Sequence, residues 1–384
     1  MASSRRRTYA IPGNREGGRW SRKLLPSDEE ESLSHPARIA RNKQYLTDLF
    51  GGPFRGHGII AAPEPAGPQW QQDFTCSEHP LGEWVSWAVR NYERWCERSE
   101  ALDDDAVPYV KVTTGTQVFA AAFGCPVRRI EGSNPVAVPL VRTAAEADRL
   151  PEPRWDAPPL DRVLEFAGLV RQQVGGDAPI CVPDIQSPFD IAALIWHKED
   201  LFLALYEEPQ AVQRLVGKCH RLLETFLREY MRRFAPVNLI HYPTYWVPNH
   251  LGCSLSEDEA GNMSTPMFEA FCLPSLVALS ESFGGLFVHC CATADHQYAS
   301  FLKVPHLRGM QRNMAGLRTA DPARVVEAFS GRSVVVATGV EEAQNMEILR
   351  LARPDTRFLF DLPPKPLAEA RGIYERLRAA CPRS

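Results

Sequence analysis

The 384-residue chain has no run of about 18 apolar residues, the length that crosses a bilayer as a helix, so no membrane span is expected. Neither sign of charge dominates. With 43 Lys+Arg against 47 Asp+Glu and a formal charge of -4, there is no broad basic surface for nucleic acid. Glycine-rich phosphate loops of the Walker or dinucleotide type are missing, so no nucleotide cofactor is expected. The basic stretch Met1–Lys23 lacks the apolar core of a secretory signal, and the ten cysteines, spread from Cys76 to Cys381, are too dispersed for a small disulfide scaffold. Both features predict a cytoplasmic protein with free thiols.

What is present reads as globular: 44% hydrophobic and 23% charged residues, in a length suited to two or three domains or one large α/β barrel. Residues 1–35 read as a solvated, disordered tail by composition. Residues 36–104 read as a helical and loop extension, with helices over 36–49 and 84–98 and a turn-rich stretch up to Pro80. From Val107–Thr113, the first expected strand, the pattern alternates. Strands are predicted at 180–183, 237–241, 285–289, 309–311, 333–337 and 357–360, with a short one near Leu255. Helices are predicted at 160–174, 210–234, 266–283, 322–329, 341–352 and 367–380. Alternation of this kind marks parallel βα units, and about eight strand positions predict a (β/α)8 barrel over 105–384.

The sharpest constellation is His289-Cys290-Cys291 at a strand end. Side chains alternate faces along a strand, so His289 and Cys291 share one side and Cys290 takes the other. Those two are either metal ligands or hydrogen-bonded barrel-lining residues. The acidic run Glu257-Asp258-Glu259 can bind a cation, handle a proton or simply stay solvated. Asp184 and Gln186 close another strand and can orient a substrate, while Asp190 reads as a helix N-cap. Thr113 begins a hydroxyl-lined turn. Tyr242 and Tyr245, after the strand ending at His241, suit a planar ligand or pack the barrel mouth.

The stretches TTGTQVFAAAFGC (113–125), DIQSPFDIAALIW (184–196), SLSEDEAGNMSTPMFEAFCLPSL (254–276) and GGLFVHCCA (284–292) resemble the uroporphyrinogen decarboxylase superfamily, which includes corrinoid-linked methyltransferases. The resemblance implies a TIM barrel whose mouth gathers Thr113, Asp184, His241, Asp258, His289, Gln311 and Asp361 at the C-terminal ends of the strands. Asp258 matches the family's acidic position, and with Asp184 it is the catalytic candidate. Gln186, Thr113, Tyr242, Tyr245, His241 and Gln311 are the substrate-binding candidates.

In the methyltransferase branch a His-x-Cys here, with a later cysteine, holds zinc that activates a thiol. The later cysteine is absent from RFLFDLPPKP (357–366), which leaves Asp361 as the expected third ligand and Cys381 badly placed. The implied activity is methyl transfer between a separate corrinoid protein and a thiol-type acceptor, and the same resemblance implies a homodimer. Two alternatives stay open: a decarboxylase or other lyase acting on a carboxylated, even tetrapyrrole, substrate, and a non-catalytic relative that binds a tetrapyrrole or small acid. Porphyrin decarboxylation itself fits poorly. The family's arginine pair is matched only by Arg15 and Arg19 in the tail, and VKVTTGTQVF lacks the family's aspartate.

Overall fold

Apolar runs such as Val334–Thr338 and Phe358–Asp361 are buried almost throughout, the pattern of parallel strands covered on both faces. The structure, a computed structural model, describes residues 34–67, 73–130, 133–314 and 319–383; the expected tail lies outside them as far as residue 33. Eight parallel strands run through the described residues: β1 Gly58–Ile60, β2 Ile180–Cys181, β3 Val237–Asn238, β4 Cys253–Ser256, β5 Leu286–Cys290, β6 Leu307–Arg312, β7 Val334–Thr338 and β8 Phe358–Asp361.

Six of them pair in the order β1-β8-β7-β6-β5-β4, and β2 pairs with β3. Backbone bonds join the two sheets. Ser254 N–H donates to Leu239 O and Ser256 N–H to Ile185 O, each at 2.9 Å. On the other side Val110 bridges Ile180, and Asp105 N–H donates to Ile59 O at 2.9 Å, so the extended segment 105–112 completes the ring. The fold is a TIM barrel whose ring holds these eight strands and the segment 105–112.

Three expectations need correction. The turn-rich stretch before Pro80 contains β1, so the extension supplies a barrel strand and the sheet has no boundary at 105. Gly58 makes this possible, because a Cβ there would lie 2.5 Å from Leu359 Cδ1 and 2.9 Å from Leu49 Cδ2. The expected strand Val107–Thr113 contributes a single bridge, at Val110. The expected helix 266–283 is two helices, Thr265–Phe271 and Leu273–Phe283, because Pro274 lacks an N–H and crowds the preceding turn.

Helix α1 (His35–Gly51) brings Phe50 beneath the barrel, where it stacks on Tyr245 at 5.3 Å and meets Phe287 edge-on at 5.1 Å. Phe287 shares a strand face with His289, so this aromatic group forms a floor under the site. A cavity of about 890 Å³ opens at the other end, among Leu307, Val334 and Arg357 near the starts of their strands. That face of a TIM barrel is the one remote from chemistry.

Candidate metal centre

Strand β5 delivers His289 and Cys291 to one side, and the loop after β4 delivers Asp258. One ligand atom from each of these three residues lies within 4.8 Å of the others. Cys290 is fully buried on the opposite face, as side-chain alternation requires.

His289 Nδ1 hydrogen-bonds Gln311 Oε1, a pure acceptor, which places the ring proton on Nδ1 and leaves the Nε2 lone pair for the cluster. Nε2 lies 3.9 Å from Asp258 Oδ1. Burial lowers the His289 pKa, with Asp258 and Gln311 opposing, so the imidazole is neutral. Asp258 Oδ1 also accepts Cys291 N–H at 2.6 Å. Burial, with the Asp258 charge adding, pushes the Cys291 thiol up to about 12.

The loop itself is built on buried acid. Asp190 accepts from Asp258 N–H at 2.6 Å and Glu259 N–H at 3.0 Å. It is not its helix's cap; Ser187 is, its Oγ accepting from Asp190 N–H at 2.9 Å. Glu257 is not solvated either. It is fully buried, and desolvation foremost, with the Asp258 charge adding, pushes its carboxyl up to about 7. Glu259 pairs with Lys198.

Asp184 belongs to an adjoining chain of contacts. Its Oδ1 accepts from Gln186 Nε2 at 3.0 Å and lies 3.3 Å from His241 Nε2, while His241 Nδ1 sits 2.8 Å from Ser254 Oγ. Tyr242 joins this group to the cluster by meeting the His289 ring edge-on at 4.9 Å.

Four expected site residues have other partners in the structure. Gln311 is 2% exposed and its Oε1 holds His289 Nδ1. Tyr245, at 2% exposure, belongs to the floor. Thr114, one residue beyond Thr113, supplies the hydroxyl that accepts Asp184 N–H, at 2.9 Å. Asp361 is not the third member of the cluster. It accepts Thr244 N–H at 3.2 Å, and burial pushes it up to about 7 against the opposing charge of Lys111.

Three residues of this region, Ser254, Arg312 and Lys111, have no expectation from the sequence. Arg312, fully buried, holds the end of β5 through the carbonyls of Cys290 and Ala292, the latter at 2.6 Å. Its position opposite Gln311 on β6 was the available signal. Lys111 carried no signal beyond its place just after Val110.

A neutral imidazole, a thiol and a carboxylate on one point form a donor set suited to zinc. Zinc ligands in a tetrahedron stand roughly 3.3–3.8 Å apart, so the three atoms need about 1 Å of closure. The residues present therefore fit the ion.

Residues 109–310 match the family model described as uroporphyrinogen decarboxylase (URO-D). No curated protein matches the chain. Among solved structures, a methyltransferase from Methanosarcina mazei superposes with a TM-score of 0.61 at 13% identity, over 87% of this chain and 97% of that one. At that identity the likeness is one of fold.

Proposed function

The chain belongs to the uroporphyrinogen decarboxylase family, and from that premise we propose that it is a zinc-dependent, corrinoid-linked methyltransferase whose acceptor is a thiol. The observation that carries the reading is the convergence of Asp258, His289 and Cys291 at the barrel mouth. These three side chains would hold the ion, and zinc bound there would lower the pKa of an acceptor thiol and keep its sulfur nucleophilic at neutral pH.

The chain's own residues do the rest. Gln311 fixes the His289 tautomer, and Arg312 fixes the end of β5 that carries both soft ligands. Asp190 fixes the Asp258 backbone. The aromatic floor excludes water from below. Methyl transfer then forms an S–CH3 bond as the cobalt–carbon bond of the partner's corrinoid breaks, and the electron pair stays on cobalt.

The Asp184–His241–Ser254 chain favours a second reading, proton handling in a lyase reaction on a carboxylated substrate. Free methylcobalamin with 2-mercaptoethanol, followed by absorbance, separates the two. Demethylation by zinc-loaded protein, lost in Cys291→Ser, supports methyl transfer; no demethylation above the protein-free rate with one zinc bound per chain refutes it.

A further inference from the structure

At the end of the barrel opposite the mouth, the cavity of about 890 Å³ is lined by Arg308, Arg332 and Arg357. They come from three neighbouring strands. Arg308 is on β6, Arg332 stands just before β7 and Arg357 just before β8; Gly309 pairs with Val334, and Val335 with Phe358. The guanidiniums therefore enter at one end of the ring, from strands about 4.8 Å apart. None of the three has a carboxylate at salt-bridge distance among the described residues. Arg357 donates to Asp48 O at 3.2 Å and Leu49 O at 2.9 Å, at the end of α1. Arg308 Nη2 reaches Gly284 O at 3.4 Å, and its Nε, shut off from water, has no partner. Burial lowers both guanidinium pKa values, and no carboxylate among the described residues offsets it. Arg332 is exposed, and its side chain makes no hydrogen bond among the described residues. Lys303 and His306 also line the cavity; Lys303 is paired with Glu269, and Asp355 is the one carboxylate of the lining. Phe50 closes the inner end and stacks on Tyr245, so the aromatic floor stands between this space and the metal ligands.

We propose that this cavity binds a phosphate chain, a diphosphate or triphosphate, held by Arg308 and Arg332 with Arg357 adding its charge. Unpaired cations in one concavity repel one another at separations near the Debye length of about 8 Å, and a multiply charged anion removes that repulsion. Asp355 offsets only one of the three charges. A guanidinium fork matches two phosphate oxygens at once, and a chain of phosphates reaches arginines on neighbouring strands as a single phosphate does not. The site lies on the face remote from the mouth, so its ligand is not the substrate. The inference does not rest on zinc or on methyl transfer.

Isothermal titration of the full chain with inorganic pyrophosphate, tripolyphosphate, phosphate and citrate tests it. Pyrophosphate and tripolyphosphate bind saturably, and phosphate binds at least about tenfold more weakly. Arg308→Gln and Arg332→Gln each weaken pyrophosphate at least about fivefold. Arg221→Gln, which removes an arginine of helix Pro209–Phe234 that pairs with Glu152, leaves it within about twofold. Cys291→Ser does the same, so this site and the metal centre are separable. No saturable pyrophosphate binding, an affinity unmoved by either cavity variant, or equal loss in Arg221→Gln overturns the proposal. Loss in Cys291→Ser overturns it too, by seating the phosphates on a metal at the mouth, and citrate binding more tightly than pyrophosphate overturns the assignment to phosphate. Arg332 is an exposed side chain, so Arg332→Gln keeps the wild-type unfolding temperature and its loss of binding is not a loss of fold.

Discussion

At His289 the chemistry depends on which nitrogen carries the proton. Gln311 Oε1 settles that by accepting from Nδ1, so the nitrogen facing Asp258 and Cys291 is a lone pair. Removing a partner of this kind costs metal affinity without touching a ligand. Gln311→Leu is expected to weaken zinc about 10–100-fold in competition with a chromogenic chelator, while Gln311→Glu, which keeps an acceptor, restores most of it. Equal affinities in wild type and Gln311→Leu would show that the contact has no bearing on the ligand. The pairing of His289 with Cys291 was legible from strand alternation alone. Gln311 was legible only as a mouth residue, because nothing in a sequence tells a polar side chain facing substrate from one facing its neighbour on the next strand.

Among the barrel strands, β1 is the one with no signal in the sequence. Three residues, two of them ordinary isoleucines, between Gly56 and Pro63 carry too short a pattern to register; pairing with β8 makes them a strand. Gly58→Val is expected to cost about 1–3 kcal/mol in urea unfolding, since Leu359 and Leu49 are both buried and have little room to move. A change below about 0.5 kcal/mol would show that β1 is loosely held.

The end of β1 is tied down by Asp104, which accepts Ala61 N–H at 2.8 Å and Ala106 N–H at 3.2 Å. Burial raises its carboxyl from the ordinary 3.8 to about 7, so the folded chain keeps a proton that the unfolded chain has released. The stability this contributes is complete below about pH 4 and is lost as pH rises through about 7. Wild type should therefore lose more stability than Asp104→Asn between about pH 5 and about pH 8. Parallel pH profiles in urea would mean that Asp104 is charged in the fold.

Across the whole molecule, the long amphipathic helices and apolar strands were readable, because burial on one stripe or on both faces leaves a clear period; Leu160–Val174 and Pro322–Phe329 have the expected bounds. The third member of the cluster was not. The resemblance points to Asp361, near where the family's later cysteine would stand, but the barrel's geometry brings the loop after β4 beside β5, so Asp258 meets His289 and Cys291 while Asp361 accepts Thr244 N–H in the field of Lys111. Which strand ends touch is a property of the closed ring, not of spacing along the chain.

The most direct test of the proposed metal centre is the zinc content of metal-replete protein by mass spectrometry, in wild type and in the His289→Ala, Cys291→Ser, Cys290→Ser and Asp361→Asn variants. About one zinc per chain is expected in wild type, Cys290→Ser and Asp361→Asn, and none in the other two. A metal-free wild type, or equal loss in Cys290→Ser and Cys291→Ser, would contradict it.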